Sequence, residues 1–114
     1  MHELAVAADL LDFLLRTAAE NGGGRVTAAR LRIGAGSCVS PDSLRFGFDA
    51  LAAGTSAAGC RLEIERPPAA GACASCSWRG EVADLDVLAC PACGWFPVTL
   101  SGGRELTIET VTVD

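Results

Sequence analysis

The sequence predicts an α+β fold: two helices on one face of a small three-stranded sheet, with a cysteine-bearing module inserted before the last strand. Three observations carry this. Apolar residues recur at helical spacing early in the chain, short alternating runs follow, and two C-x2-C pairs lie between the last two of those runs. At 114 residues the chain can hold one ordinary domain plus a small segment that needs a staple to fold.

From Leu4 to about Asn21, residues Leu4, Ala7, Ala8, Leu11, Leu14, Leu15 and Ala18 share one helical face, and Gly22-Gly23-Gly24 ends the helix. Arg25 to Ile33 reads as a strand, with Thr27, Ala29, Leu31 and Ile33 on one face and Val26, Arg30 and Arg32 on the other. Ser40-Pro41-Asp42 opens a second helix: a capping hydroxyl, a proline at the first helical position and an acid favourable to the dipole. Leu44, Phe48 and Leu51 mark its buried face, and Gly54 its end. Cys60 to Arg66 alternates around Leu62 and Ile64 until Pro67-Pro68 stops it.

Glu105 to Val113 forms the last strand. Leu106 and Ile108 sit in one phase and Val111 and Val113 in the other, so either both faces are buried or a bulge lies near Glu109 and Thr110. This divides the chain into a domain of residues 1–67 plus 103–114 and a module of residues 68–102.

The module carries Cys73-Ala-Ser-Cys76 and Cys90-Pro-Ala-Cys93, with thirteen residues between the pairs. Two tight turns of this kind can present four thiolates to one tetrahedral ion, which points to zinc. Disulfides would need an oxidising compartment, and a redox C-x2-C a strand–helix context that is absent here. A closed four-sulfur site has no open position for substrate, so it explains folding rather than chemistry. Cys38 and Cys60 are isolated and read as small buried hydrophobes.

The formal charge is −5, and four thiolates around one Zn²⁺ would take it to about −7. That balance excludes a nucleic-acid zinc ribbon, which needs a basic surface. No apolar run approaches the roughly 18 residues of a membrane span, and acidic Glu3, Asp9 and Asp12 do not suit a signal peptide. The cytoplasm, where thiols stay reduced, is the expected location. With one histidine, no tyrosine and no phosphate loop, the sequence offers no catalytic constellation, and a non-enzymatic role is expected.

His2 is the exception to this silence. The α-amino group, the backbone nitrogens of residues 2 and 3, and the His2 imidazole could wrap a divalent ion in a plane of nitrogens, a geometry favouring Ni(II) or Cu(II). A bulky second residue also disfavours removal of Met1.

The opening Met-His-Glu, the segment from Arg25-Val26-Thr27 through Leu31-Arg32-Ile33-Gly34, and Ser37 to Leu44 together resemble the HypA/HybF family of hydrogenase nickel-insertion accessory proteins. So do Phe46-Gly47-Phe48, Gly54-Thr55, Ala58-Gly59, both cysteine pairs and Glu105 to Ile108, in the right order along the whole chain. The resemblance implies a nickel metallochaperone with Ni(II) as transient cargo on Met1, His2 and Glu3, and structural Zn(II) on Cys73, Cys76, Cys90 and Cys93. It implies delivery to the large subunit of a [NiFe] hydrogenase beside a HypB-type GTPase, with urease a further recipient in some relatives. A monomer or weak homodimer is expected, with neither nucleic acid nor membrane as partner. Asp42, Ser77 and Trp95 depart from the family's usual residues, and none is an expected ligand.

Two other readings stay open at this stage. Cys90-Pro-Ala-Cys93-Gly94 is similar to half of a rubredoxin iron site, so a rubredoxin-like module could carry electrons. A zinc ribbon that only docks other proteins would use the same cysteines.

Overall fold

A computed structural model describes residues 2–37, 39–82 and 87–114, with the backbone alone at His2. The elements are helix α1 (His2–Glu20), strand β1 (Val26–Ile33), helix α2 (Pro41–Ala52), and strands β2 (Arg61–Glu65), β3 (Ala69–Ala72), β4 (Arg79–Val82), β5 (Thr99–Ser101) and β6 (Leu106–Val113). A 3-10 turn, Ala35–Ser37, lies between β1 and α2. The strands form two three-stranded sheets, ordered β2-β1-β6 and β4-β3-β5. The α+β class is as predicted; the second sheet is not.

The chain divides into two compact units. The first comprises Met1–Leu31, Val39–Glu65 and Thr107–Asp114. In it α1 packs on α2, and Ala7, Leu10, Leu14 and Ala18 form the buried stripe of α1 at steps of three and four. Leu10 is buried where Leu11 was expected, and Leu11, about 100° further round the helix, is half-buried. The helix ends as its glycines require: Gly22 has φ 99°, and the Gly23 N–H reaches back 2.7 Å to the Ala18 carbonyl.

In α2 the Ser40 side chain accepts from the Ser43 N–H at 3.4 Å, and Pro41 is the first residue. Leu44, Gly47, Phe48 and Ala52 are buried. Leu51 is exposed, contrary to expectation, because it lies about 100° around the helix from Ala52, which takes the inward position.

The first sheet corrects two expectations. On β1, Val26 and Ala28 are buried in one phase, and Ala29, Leu31 and Ile33 in the other, while Thr27 is exposed. On β6, Ile108, Val111 and Val113 are the half-buried residues, so its phase also slips, between Ile108 and Val111. Asp114 N–H bonds the Arg25 carbonyl at one end, and Gly34 N–H bonds the Glu105 carbonyl at the other. The two strands run antiparallel and use nine steps each between these bonds, so an extra residue on β6 alone does not fit. The slip is matched on both strands at facing positions. Nor is β6 buried on both faces, since none of its residues is more than half-buried. Across the polar face, Arg30 lies 3.9 Å from both Glu65 and Glu109 on the flanking strands.

The second unit comprises Arg32–Cys38 and Arg66–Leu106. Its central strand β3 reads Ala-Ala-Gly-Ala, which carries no strand signal. A Cβ on Gly71 would sit 2.7 Å from Val82 Cγ2 and 3.4 Å from Trp78 and Val98, so small residues here let larger neighbours close over the strand. Ala69, Val82, Cys90 and Val98 are its buried cluster, flanked by Cys73, Trp78, Leu88 and Leu100. That core is too small to hold the unit alone.

Candidate metal centres

Strands β3 and β4 pair antiparallel, with Ala72 opposite Arg79, and the first cysteine pair occupies the loop that joins them. Cys73 N–H donates to the Trp78 carbonyl at 3.0 Å, closing that loop. Inside it, Ser75 N–H points at Cys73 Sγ (3.3 Å) and Trp78 N–H at Cys76 Sγ (3.4 Å). The second pair repeats the pattern: Cys90 N–H donates to the Trp95 carbonyl at 2.7 Å, and Gly94 turns the chain with φ 80°.

The two loops converge. Cys73 Sγ lies 3.7 Å from Cys93 Sγ, Cys76 Sγ lies 3.7 Å from Cys90 Sγ, and all four sulfurs fall within 4.8 Å of one another. A disulfide would bring two sulfurs to about 2.05 Å. A tetrahedron of thiolates about 2.3 Å from one ion has edges of about 3.8 Å, which the two 3.7 Å contacts match. The donor set therefore fits a thiophilic tetrahedral ion such as zinc. Cys90 is buried and Cys93 exposed, so the site sits at the surface with one sulfur anchored in the core.

Crowding separates the thiols electrostatically. Trp78 N–H favours the Cys76 thiolate, but burial and the sulfurs of Cys73, Cys93 and Cys90 outweigh it and push Cys76 up to about 12. For Cys90 burial works against ionisation, yet the Cys93 and Ala92 N–H groups and the neighbouring thiols bring it down to about 7. One thiolate forms readily, and others wait for a cation to compensate them.

Of the three expected nickel ligands, Met1 and the His2 side chain lie outside the described residues. The His2 backbone begins α1, so the N–H groups of His2 and Glu3 belong to the first helical turn, which has no helical carbonyl to accept them. Glu3 is half-buried and lines a cavity with Leu4, Asp42, Ser43, Phe46, Gly47 and Ala50. Sequence reasoning gave Asp42 only to the helix dipole. The structure brings Asp42 to the lining of the same cavity as Glu3, a proximity that no local pattern across some 40 residues could reveal. Cys60 is buried as expected; Cys38 lies outside the described residues.

Residues 1–113 match the family model described as hydrogenase/urease nickel incorporation, metallochaperone, hypA. The chain belongs to the HypA family. It is 37% identical to hydrogenase maturation factor HypA of Chlorobaculum tepidum and 39% identical to that of Rhodopseudomonas palustris, each over 114 residues and the full length of both chains. Its fold is similar to the solution structure of the Ni metallochaperone HypA from Helicobacter pylori, with TM-score 0.63 at 19% identity over 97% of this chain and 96% of that one. HypA proteins are nickel metallochaperones of hydrogenase maturation, and membership displaces the electron-carrier and docking-only readings. No helix among the described residues is long and apolar enough to cross a membrane.

Proposed function

We propose that this HypA-family chain carries one Ni(II) at Met1, His2 and Glu3 and holds one structural Zn(II) on Cys73, Cys76, Cys90 and Cys93. It acts in the cytoplasm as a carrier without catalysis of its own. The cargo passes to the large subunit of a [NiFe] hydrogenase, with a HypB-type GTPase as co-chaperone and urease as a further recipient.

The observation that carries the nickel assignment is the start of α1 at His2. The backbone nitrogens of His2 and Glu3 can give up their protons to a metal without breaking a helical hydrogen bond. With the α-amino group and the imidazole they supply a planar nitrogen set suited to Ni(II), and the Glu3 carboxylate adds an oxygen. A site in the first turn also opens without unfolding the core, as a carrier requires. The zinc assignment is supported by the sulfur spacing and by the small core that the metal would staple.

The test is metal analysis of untagged protein followed by nickel titration. One zinc as purified and one nickel taken up is the expected result, with His2→Ala abolishing nickel uptake while zinc and helix content stay. Full nickel uptake by His2→Ala would refute the assignment.

A further inference from the structure

We infer that the cavity between the start of α1 and the start of α2 is the surface on which the nickel-accepting protein docks, with Phe46 as the anchor; this rests on the nickel assignment above. Residues Leu44, Phe48 and Ala52 of α2 point inward and are buried, whereas Phe46 is 79% exposed. An aromatic side chain this exposed contributes little to the helix's packing, and such rings are characteristic anchors of protein interfaces. Leu4 reaches the same place from α1. A Cβ on Gly47 would lie 3.5 Å from Leu4 Cδ1, which places Leu4 against α2 beside Phe46 while it stays 45% exposed. Leu4, Phe46 and Ala50 are the apolar members of the cavity lining, and the acidic residues Glu3 and Asp42 line it beside them.

That chemistry selects the occupant. The partner must offer an apolar pocket for the Phe46 ring, rimmed by arginine or lysine facing Glu3 and Asp42. Arg45 lies 3.7 Å from Asp42 but also donates to the Leu62 carbonyl, which draws it toward β2. A second copy of this acidic chain is a poorer match, having net charge −5. The placement also suits transfer. An acceptor seated on Phe46 stands beside the segment that holds nickel, and its cations can pair with the Glu3 carboxylate as the ion leaves.

Untagged protein loaded with one equivalent of Ni(II) is tested for binding to the metal-free precursor of a hydrogenase large subunit, and for nickel transfer to it. Phe46→Ala is expected to weaken that association by roughly tenfold or more. Leu51→Ala, which trims another exposed apolar side chain of α2 outside the cavity, leaves it unchanged. Nickel stoichiometry and zinc content of Phe46→Ala match the parent, and the parent's association weakens as salt rises. Undiminished binding and transfer by Phe46→Ala overturns the docking surface alone. So does loss of its nickel stoichiometry, or a dimer of the chain by itself that Phe46→Ala dissolves. A parent protein that takes up no nickel overturns this surface and the nickel assignment together.

Discussion

Cys73 Sγ and Cys93 Sγ lie 3.7 Å apart although one belongs to the β3–β4 loop and the other to the loop before β5. The partner of each sulfur in these short contacts is in the other loop, as Cys76 with Cys90 repeats. The ion that fits this cluster therefore ties two loops together rather than closing one. Chelation is expected to unfold the second unit, since structural zinc contributes on the order of 10 kcal/mol in small domains. Cys90→Ala should do the same more completely than Cys93→Ala, because Cys90 is also part of the buried cluster. Loss of the Trp78 and Trp95 near-ultraviolet signal on adding a chelator, with recovery on adding zinc, checks this. An unchanged spectrum would dissociate the cysteines from the fold.

The nickel site predicts sensitivity to the chain start. One extra residue ahead of Met1 displaces the α-amino group from its chelate ring and should weaken Ni(II) binding by tenfold or more, with zinc content untouched. Lowering the pH should release nickel before zinc is lost, as the His2 imidazole and the first-turn nitrogens recover their protons. Calorimetry on tagged and cleaved protein, repeated across pH, measures both. Equal affinities with and without the extension would rule out the amine.

What the sequence made legible follows from which constraints are local. Helix α2 was readable because Ser40, Pro41 and Gly54 act within a turn of their own positions, and the cysteine pairs because their spacing is itself the geometry. Strand β3 was not, since Ala69–Ala72 is a strand only by virtue of Val82, Trp78 and Val98 closing over it. The slip on β6 was visible as a broken alternation, but its matching slip on β1 was hidden by Ala28 and Ala29, whose methyl groups read equally well on either face. At the cavity, Glu3 was legible from the chain start, whereas Asp42 and Phe46 join it only because α1 packs on α2.

Two glycines should respond oppositely to one added methyl group. A Cβ at Gly47 would lie 3.5 Å from Leu4 Cδ1 and 3.7 Å from Ala7 Cβ, ordinary contact distances inside a helix. Gly47→Ala should therefore stabilise the first unit by about 0.5–1 kcal/mol through helix propensity and reduced unfolded-state freedom. A Cβ at Gly71 would press to 2.7 Å against Val82 Cγ2, so Gly71→Ala should cost about 1–3 kcal/mol and loosen zinc. Thermal unfolding followed at 222 nm for the first and by tryptophan emission for the second separates the two effects. A Gly47→Ala protein less stable than its parent would show that the α1–α2 contact is tighter than these distances allow.

Cys60 gives the fold an alkaline limit. Burial raises its thiol above the ordinary value of 9.0, Asp49 adds to this, and Arg61 partly opposes it. The unfolded chain therefore loses this proton at lower pH than the folded one. Above about pH 9 the unfolded state binds fewer protons, so unfolding free energy must fall with rising pH, and below it the contribution is fully present. Stability measured by urea unfolding from pH 8 to 10.5 should decline for the parent protein. Cys60→Ala should be less stable at pH 8, having lost a buried sulfur, but should decline less steeply. Parallel slopes in the two proteins would place the titrating group elsewhere.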